Sequence, residues 1–267
     1  MSLLKPLRSA SNTTKSRDQF LLPQKHRRAS SPELRLQSIV PGSIRQILLT
    51  RTVIIARLSI LIYPNVPREH LRIGCDLSNV YFIVDEYTDI ENAAVTKEMV
   101  DIVLDAIRNP HKVRPECECI LGEIVRQFWA RAIRTASLPS QRHFIETFTT
   151  YLGAIVVEAL DREQGHCRSI DNYLKLRRDT CAVKSSVPMC EMGMELPDDV
   201  FYHPVIVELV DCITELCLID NDMISYNREQ ATGDENHNLI TAVMSELSVD
   251  RSGAMVWAAH YHAEVQK

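Results

Sequence analysis

Glycine is scarce in this 267-residue chain, with eight in all. Long stretches pass between turn signals, which argues against a strand-rich fold and suits helices. Positive charge is not in excess either. The formal net charge of -5 at pH 7 argues against a general nucleic-acid binder, because duplex binding draws on clustered Lys and Arg. The most apolar stretch, from Ile47 to Tyr63, carries Arg51 and Arg57 and ends at Pro64, so no membrane span is expected. The first residues lack the compact apolar core and cleavage site of a secretory signal.

Cysteine occurs eight times, yet no C-x-x-C pair is present, and Cys117-Glu118-Cys119 has no matching second half. Neither a zinc site nor a disulfide framework is therefore expected. Several of these residues fall inside apolar helical patterns, where a free thiol acts as a small hydrophobe. A reducing, cytoplasmic compartment follows as the expectation.

What the chain does contain is the balance of a globular protein, 45% hydrophobic and 24% charged, at a length that one domain can use. Residues 1–35 are basic and Ser-rich. That composition predicts a loose tail, with an organelle transit peptide as the other reading. Residues 36–267 are expected to form one helical domain. Apolar periodicity predicts helices from Leu71 into an acidic cluster at Asp85, over Val95–Ile107, Cys119–Ala136 and Pro139–Leu160, and over Ser169–Ala182. Further helices are predicted from Pro204 past Glu229, over Asn238–Leu247 and over Gly253–Val265. No internal repeat is visible.

Two motifs carry chemistry. Asp85 and Asp89 stand i, i+4 and so stack on one helix face, with Glu86 beside them. Such pairs are common on solvated faces. Here, however, the pair ends an apolar run in which Tyr81 and Phe82 lie at i−4 and i−3 from Asp85, as at the mouth of a pocket. Asn221, Ser225 and Glu229 stand at i, i+4, i+8 and place an amide, a hydroxyl and a carboxylate in one row. All three are hard oxygen donors of the kind Mg²⁺ prefers, and Arg228 adjoins them.

Asp85-Glu-Tyr-Thr-Asp89 resembles the aspartate-rich motif of class I terpene synthases. Asn221-Asp-x-x-Ser225-Tyr-x-Arg-Glu229 resembles their Asn/Ser/Glu metal triad. Tyr173-x-x-x-Arg177-Arg178-Asp179-Thr180 is similar to their basic segment on a broken helix. Glu69-His-Leu-Arg-Ile-Gly-Cys-Asp76, Asn109-Pro-His-Lys112, Phe201-Tyr-His-Pro204 and His237-Asn-Leu-Ile240 resemble basidiomycete sesquiterpene synthases of the protoilludene-synthase-like group. The likeness covers about residues 60–267.

The resemblance implies an all-α helical bundle around a central apolar active-site cavity. It implies Mg²⁺ as cofactor, about three ions with substrate bound, held by Asp85, Asp89, Asn221, Ser225 and Glu229. The substrate it implies is a prenyl diphosphate, farnesyl diphosphate first, whose diphosphate meets Arg178 and Arg228. Arg178 takes the place of the diphosphate sensor, and Cys181 and Ala182 those of the residues at the helix break. With Tyr81 and Phe82 they are the cavity candidates. Family members continue with further helices and an Arg-Tyr pair beyond the point matching Lys267, so the expectation is a domain without its C-terminal helices. Two other readings stand beside the cyclase: an impaired helical remnant that only binds, and a prenyl-chain elongating enzyme, which the Asn/Ser/Glu row disfavours.

Overall fold

The computed structural model describes residues 54–233 and 235–267; the basic segment 1–35 lies outside them. After a helical stretch over 54–62, Pro67 opens α1, Arg68–Thr88. Then come α2, Ala93–Arg108, α3, Ile120–Ala132, and α4, Leu138–Gln164. α5 covers Ile170–Thr180 and breaks into a short α6, Val183–Ser186, and a 3-10 turn over Val187–Met189. A single turn, α7, Asp198–Phe201, precedes the long α8, Pro204–Thr232. A 3-10 turn at Glu235–His237 leads to α9, Leu239–Leu247, and α10, Arg251–Val265. Among the described residues there is no strand.

Local chemistry sets these boundaries. Asn92, Ser137 and Asp250 cap α2, α4 and α10 with side-chain oxygens that accept backbone N–H groups, which satisfies donors otherwise left open at a helix start. Pro204 sits in the first turn of α8, where its missing N–H is harmless. Gly165 and Gly233 end α4 and α8 at φ 60° and 87°, a left-handed conformation that glycine adopts without strain. Ala182 takes φ 65° at the α5–α6 break. A residue with a Cβ is strained there.

Two apolar cores result. The first joins α1 to α4. In it Trp129, Phe144, Phe148 and Tyr151 stack in series with ring centroids 4.7, 5.0 and 5.6 Å apart, and Tyr81 meets Tyr151 edge-on at 5.0 Å. The second joins α5, α8, α9 and α10 around Tyr173, Leu218, Ile219, Leu239, Ile240 and Val243. Gly74 lets the ring of Tyr63 lie against α1, since a Cβ there would stand 2.6 Å from it. All eight cysteines are free thiols. No helix among the described residues is long and apolar enough to cross a membrane.

Candidate metal and diphosphate site

A cleft of about 640 Å³ collects side chains from α1, α4, α5 and α8. Apolar Ile54, Ile55, Phe82 and Ile155 share its wall with Asp85, Glu86, Asp89, Glu158, Arg162, Tyr173, Arg177, Asn221, Arg228, Glu229 and His237. Both acidic motifs therefore open into one space, carried there by helices of different cores.

The Asp85 end of α1 is held from α4. Arg162 Nη2 donates to the Thr88 carbonyl at 2.7 Å and the Glu91 carbonyl at 3.3 Å, which satisfies open acceptors at a helix C-terminus. Tyr151 Oη donates to Asp85 Oδ1 at 3.1 Å. The cleft walls desolvate the Asp85 carboxylate, and Asp89 and Glu158 add like charge. Together they push its pKa up to about 7, although the side chain still meets water at the cleft opening. Glu158 goes the other way. Burial would raise it, but His237, Arg177 and Arg162 outweigh burial and hold it at about 2; His237 Nε2 lies 3.1 Å from its Oε2.

On α8, the side chains of Asn221 and Glu229 line the cleft. Ser225 lies on the same helix face between them and is nearly sealed, and its Oγ has no hydrogen-bond partner. A buried hydroxyl without a partner is costly, and a metal ion would satisfy it. Asn238 fixes the third member: its Nδ2 donates to Glu229 Oε2 at 2.8 Å and to the Asp222 carbonyl at 2.9 Å, while its Oδ1 caps α9 at Ile240 N–H. No three His, Cys, Asp or Glu side chains among the described residues form a ready-made metal cage. Amide, hydroxyl and carboxylate oxygens in one row on α8, with Asp85 and Asp89 lining the same cleft, fit Mg²⁺, which keeps several waters and takes further ligands from phosphate.

Asp222 follows Asn221 by one position and so points about 100° away around the helix. It is 1% exposed. Its Oδ2 accepts from Tyr173 Oη and, at 3.0 Å, from Leu239 N–H. Its Oδ1 accepts from Arg177 Nε at 3.1 Å. Arg177 Nη2 then reaches Asn221 Oδ1 at 2.8 Å.

Several expected positions differ from what the sequence suggested. Arg178, expected in the cleft, does not line it: its Nε donates to the buried Glu215 Oε1 at 2.7 Å, and Tyr261 Oη holds the other oxygen of Glu215 at 2.9 Å. Consecutive helix positions diverge, so Asp222 holds Arg177 at the cleft while Glu215 holds Arg178 away from it. Of the two aromatics, Phe82 lines the cleft, whereas Tyr81 is buried beneath it, its Oη 2.7 Å from Ser185 Oγ. Cys181 packs against the second core and Ala182 against the first; neither lines the cleft. Sequence reasoning passed over Tyr151, Glu158 and Arg162. With Ile155 they recur at helical spacing along α4, a stripe in which polar groups interrupt an apolar face, and that was the available signal.

These helices, with two groups of oxygen donors lining one mixed cleft, have the fold of class I terpene synthases. The structure is similar to that of α-eudesmol synthase, with TM-score 0.73 at 20% identity over 88% of this chain and 75% of that one. It is also similar to germacradien-4-ol synthase from Streptomyces citricolor, with TM-score 0.70 at 20% identity over 87% and 74%. A sequence model described as terpene synthase family 2, C-terminal metal binding, matches residues 76–267, and the chain belongs to this family. Among curated relatives, sesquiterpene synthase 14 of Postia placenta is 54% identical over 79% of this chain. Delta(6)-protoilludene synthase 18 of the same fungus is 51% identical over 78%, and the Delta(6)-protoilludene synthase of Armillaria gallica 47% over 76%. The chain spans 60% of the length of the first two and 59% of the third.

Proposed function

We propose that the protein is a sesquiterpene cyclase that ionises farnesyl diphosphate with Mg²⁺ and cyclises the resulting cation. The observation that carries this reading is that Asp85 and Asp89 on α1 line one cleft together with Asn221 and Glu229 on α8, with the unpartnered Ser225 Oγ between the latter two on their helix. The names of the fungal relatives give sesquiterpenes as their product class, and a C15 prenyl diphosphate is the precursor that matches it.

Mg²⁺, when bound, supplies positive charge to the leaving diphosphate, which is what an allylic C–O cleavage without a strong nucleophile requires. Asp85 and Asp89 would hold metal from one wall, and Asn221, Ser225 and Glu229 from the other. Arg177 and Arg228 line the same cleft and offer guanidinium donors to the diphosphate oxygens. Arg178 joins them only by leaving Glu215. Phe82, Ile54, Ile55 and Ile155 give the hydrocarbon chain an apolar wall, and exclusion of water there favours cyclisation over quenching to an alcohol. Aromatic faces add electrostatic stabilisation of the cation.

The test is product analysis with farnesyl diphosphate and Mg²⁺, with released diphosphate measured in parallel. Cyclic C15 hydrocarbons that vanish with chelator are expected. Metal-independent hydrolysis, or no diphosphate release from any prenyl diphosphate, would refute the reading.

A further inference from the structure

Asn221 has one side-chain atom able to ligate a cation, Oδ1, and in this structure a cation already sits on it. Arg177 Nη2 is 2.8 Å away. A Mg²⁺ ligand bond is about 2.1 Å long, so an ion at Oδ1 would lie within one guanidinium's reach of Arg177. Two cations that close repel strongly where water is partly excluded. The remaining donors are in place: the buried Ser225 Oγ is unpartnered and Glu229 is fixed by Asn238.

Arg177 is also anchored independently of Asn221. Its Nε and Nη2 both lie 3.1 Å from Asp222 Oδ1, its Nη1 lies 3.4 Å from Thr180 Oγ1, and Asp222 is itself immobilised by Tyr173 Oη and Leu239 N–H. A small shift of Nη2 away from Asn221 therefore leaves the guanidinium paired with Asp222. The donor so released lines the cleft and needs another acceptor. An anion with several oxygens suits a planar fork better than any single carbonyl does.

We infer that Arg177 guards the α8 metal position, competing with the metal for Asn221 Oδ1 and yielding it when a diphosphate draws the guanidinium away. The inference rests on the proposed metal role of Asn221, Ser225 and Glu229, and deepens it. Metal binding at α8 is thereby conditional on the anion, and the responsible contact is one side-chain hydrogen bond.

Mn²⁺ as a paramagnetic substitute gives a readout independent of turnover. The loss of the free-ion resonance is titrated for the wild type, N221A, R177Q, R177K and R177Q/N221A, with and without inorganic diphosphate. R177Q is expected to bind Mn²⁺ alone about tenfold more tightly than the wild type, the worth of one charge-assisted hydrogen bond. The gain should disappear in R177Q/N221A, and the enhancement by diphosphate should shrink in R177Q. R177K keeps a charge on Asp222 but lacks the second arm, so it should retain a smaller part of the gain. It also serves as the test if R177Q is poorly folded by circular dichroism. Suppose Mn²⁺ alone binds R177Q and R177K no better than the wild type, while diphosphate-dependent binding still needs Asn221. The competition is then refuted and the metal site stands. Mn²⁺ binding indifferent to N221A under every condition would overturn both.

Discussion

Asn221 and Asp222 are neighbours with opposite duties, and their alanine variants should separate cleanly. Asp222→Ala removes an almost fully buried carboxylate that accepts from Arg177, Tyr173 and Leu239 N–H. Arg177, whose side chain is 15% exposed, is then left without its anion, and two further donors lose their acceptor. Breaking one side of a buried ion pair costs about 3–5 kcal/mol, and each orphaned donor adds about 1–3 kcal/mol less than additively. We expect a total of about 5 kcal/mol or more, comparable to the low end of the 5–15 kcal/mol typical of a folded domain. Asn221 stands at the solvent-accessible cleft wall, and its side-chain bond is the one it accepts from Arg177, so Asn221→Ala should cost no more than about 1.5 kcal/mol while abolishing Mg²⁺-dependent turnover. Urea unfolding followed by circular dichroism measures both. A cycle with Arg177→Met and the double variant isolates the pair, with a coupling above about 1 kcal/mol expected. A loss below about 1 kcal/mol for Asp222→Ala, as for a surface ion pair, would refute the structural assignment of Asp222.

Three further outcomes follow from the same geometry. Ala182→Gly relieves a Cβ at φ 65° and should stabilise the fold by about 0.5–1 kcal/mol, visible as a melting temperature a few degrees higher; an unchanged or lower value would count against strain at the break. Asp85 has a folded-state pKa of about 7, above its ordinary 3.8, so the native state holds the extra proton between those values. Metal-free stability should therefore fall as pH rises from about 4 to about 7, and D85N should flatten that slope in thermal melts. Glu158 is held at about 2 against an ordinary 4.5; its contribution is present above about 4.5 and lost as pH falls toward 2, and E158Q should remove this acid-side dependence.

The helices were legible because their apolar spacing and caps are local. The predicted spans from Val95–Ile107 to Gly253–Val265 agree with α2 to α10 to within a few residues at most boundaries; the short α6 and α7 turns carry too few residues for a period to show. The oxygen row at Asn221, Ser225 and Glu229 was legible for the same reason, since i, i+4, i+8 fixes one face whatever surrounds it. What spacing could not decide was orientation between equivalents. Arg177 and Arg178 are the same residue type one position apart, and the choice between them lies in Asp222 and Glu215, more than thirty residues downstream on α8. Phase relative to Asp85 likewise picked out both Tyr81 and Phe82, but only packing against Phe148 and Tyr151 draws Tyr81 into the core. A local period therefore names the candidates at a site, and the partners on the facing helix choose among them.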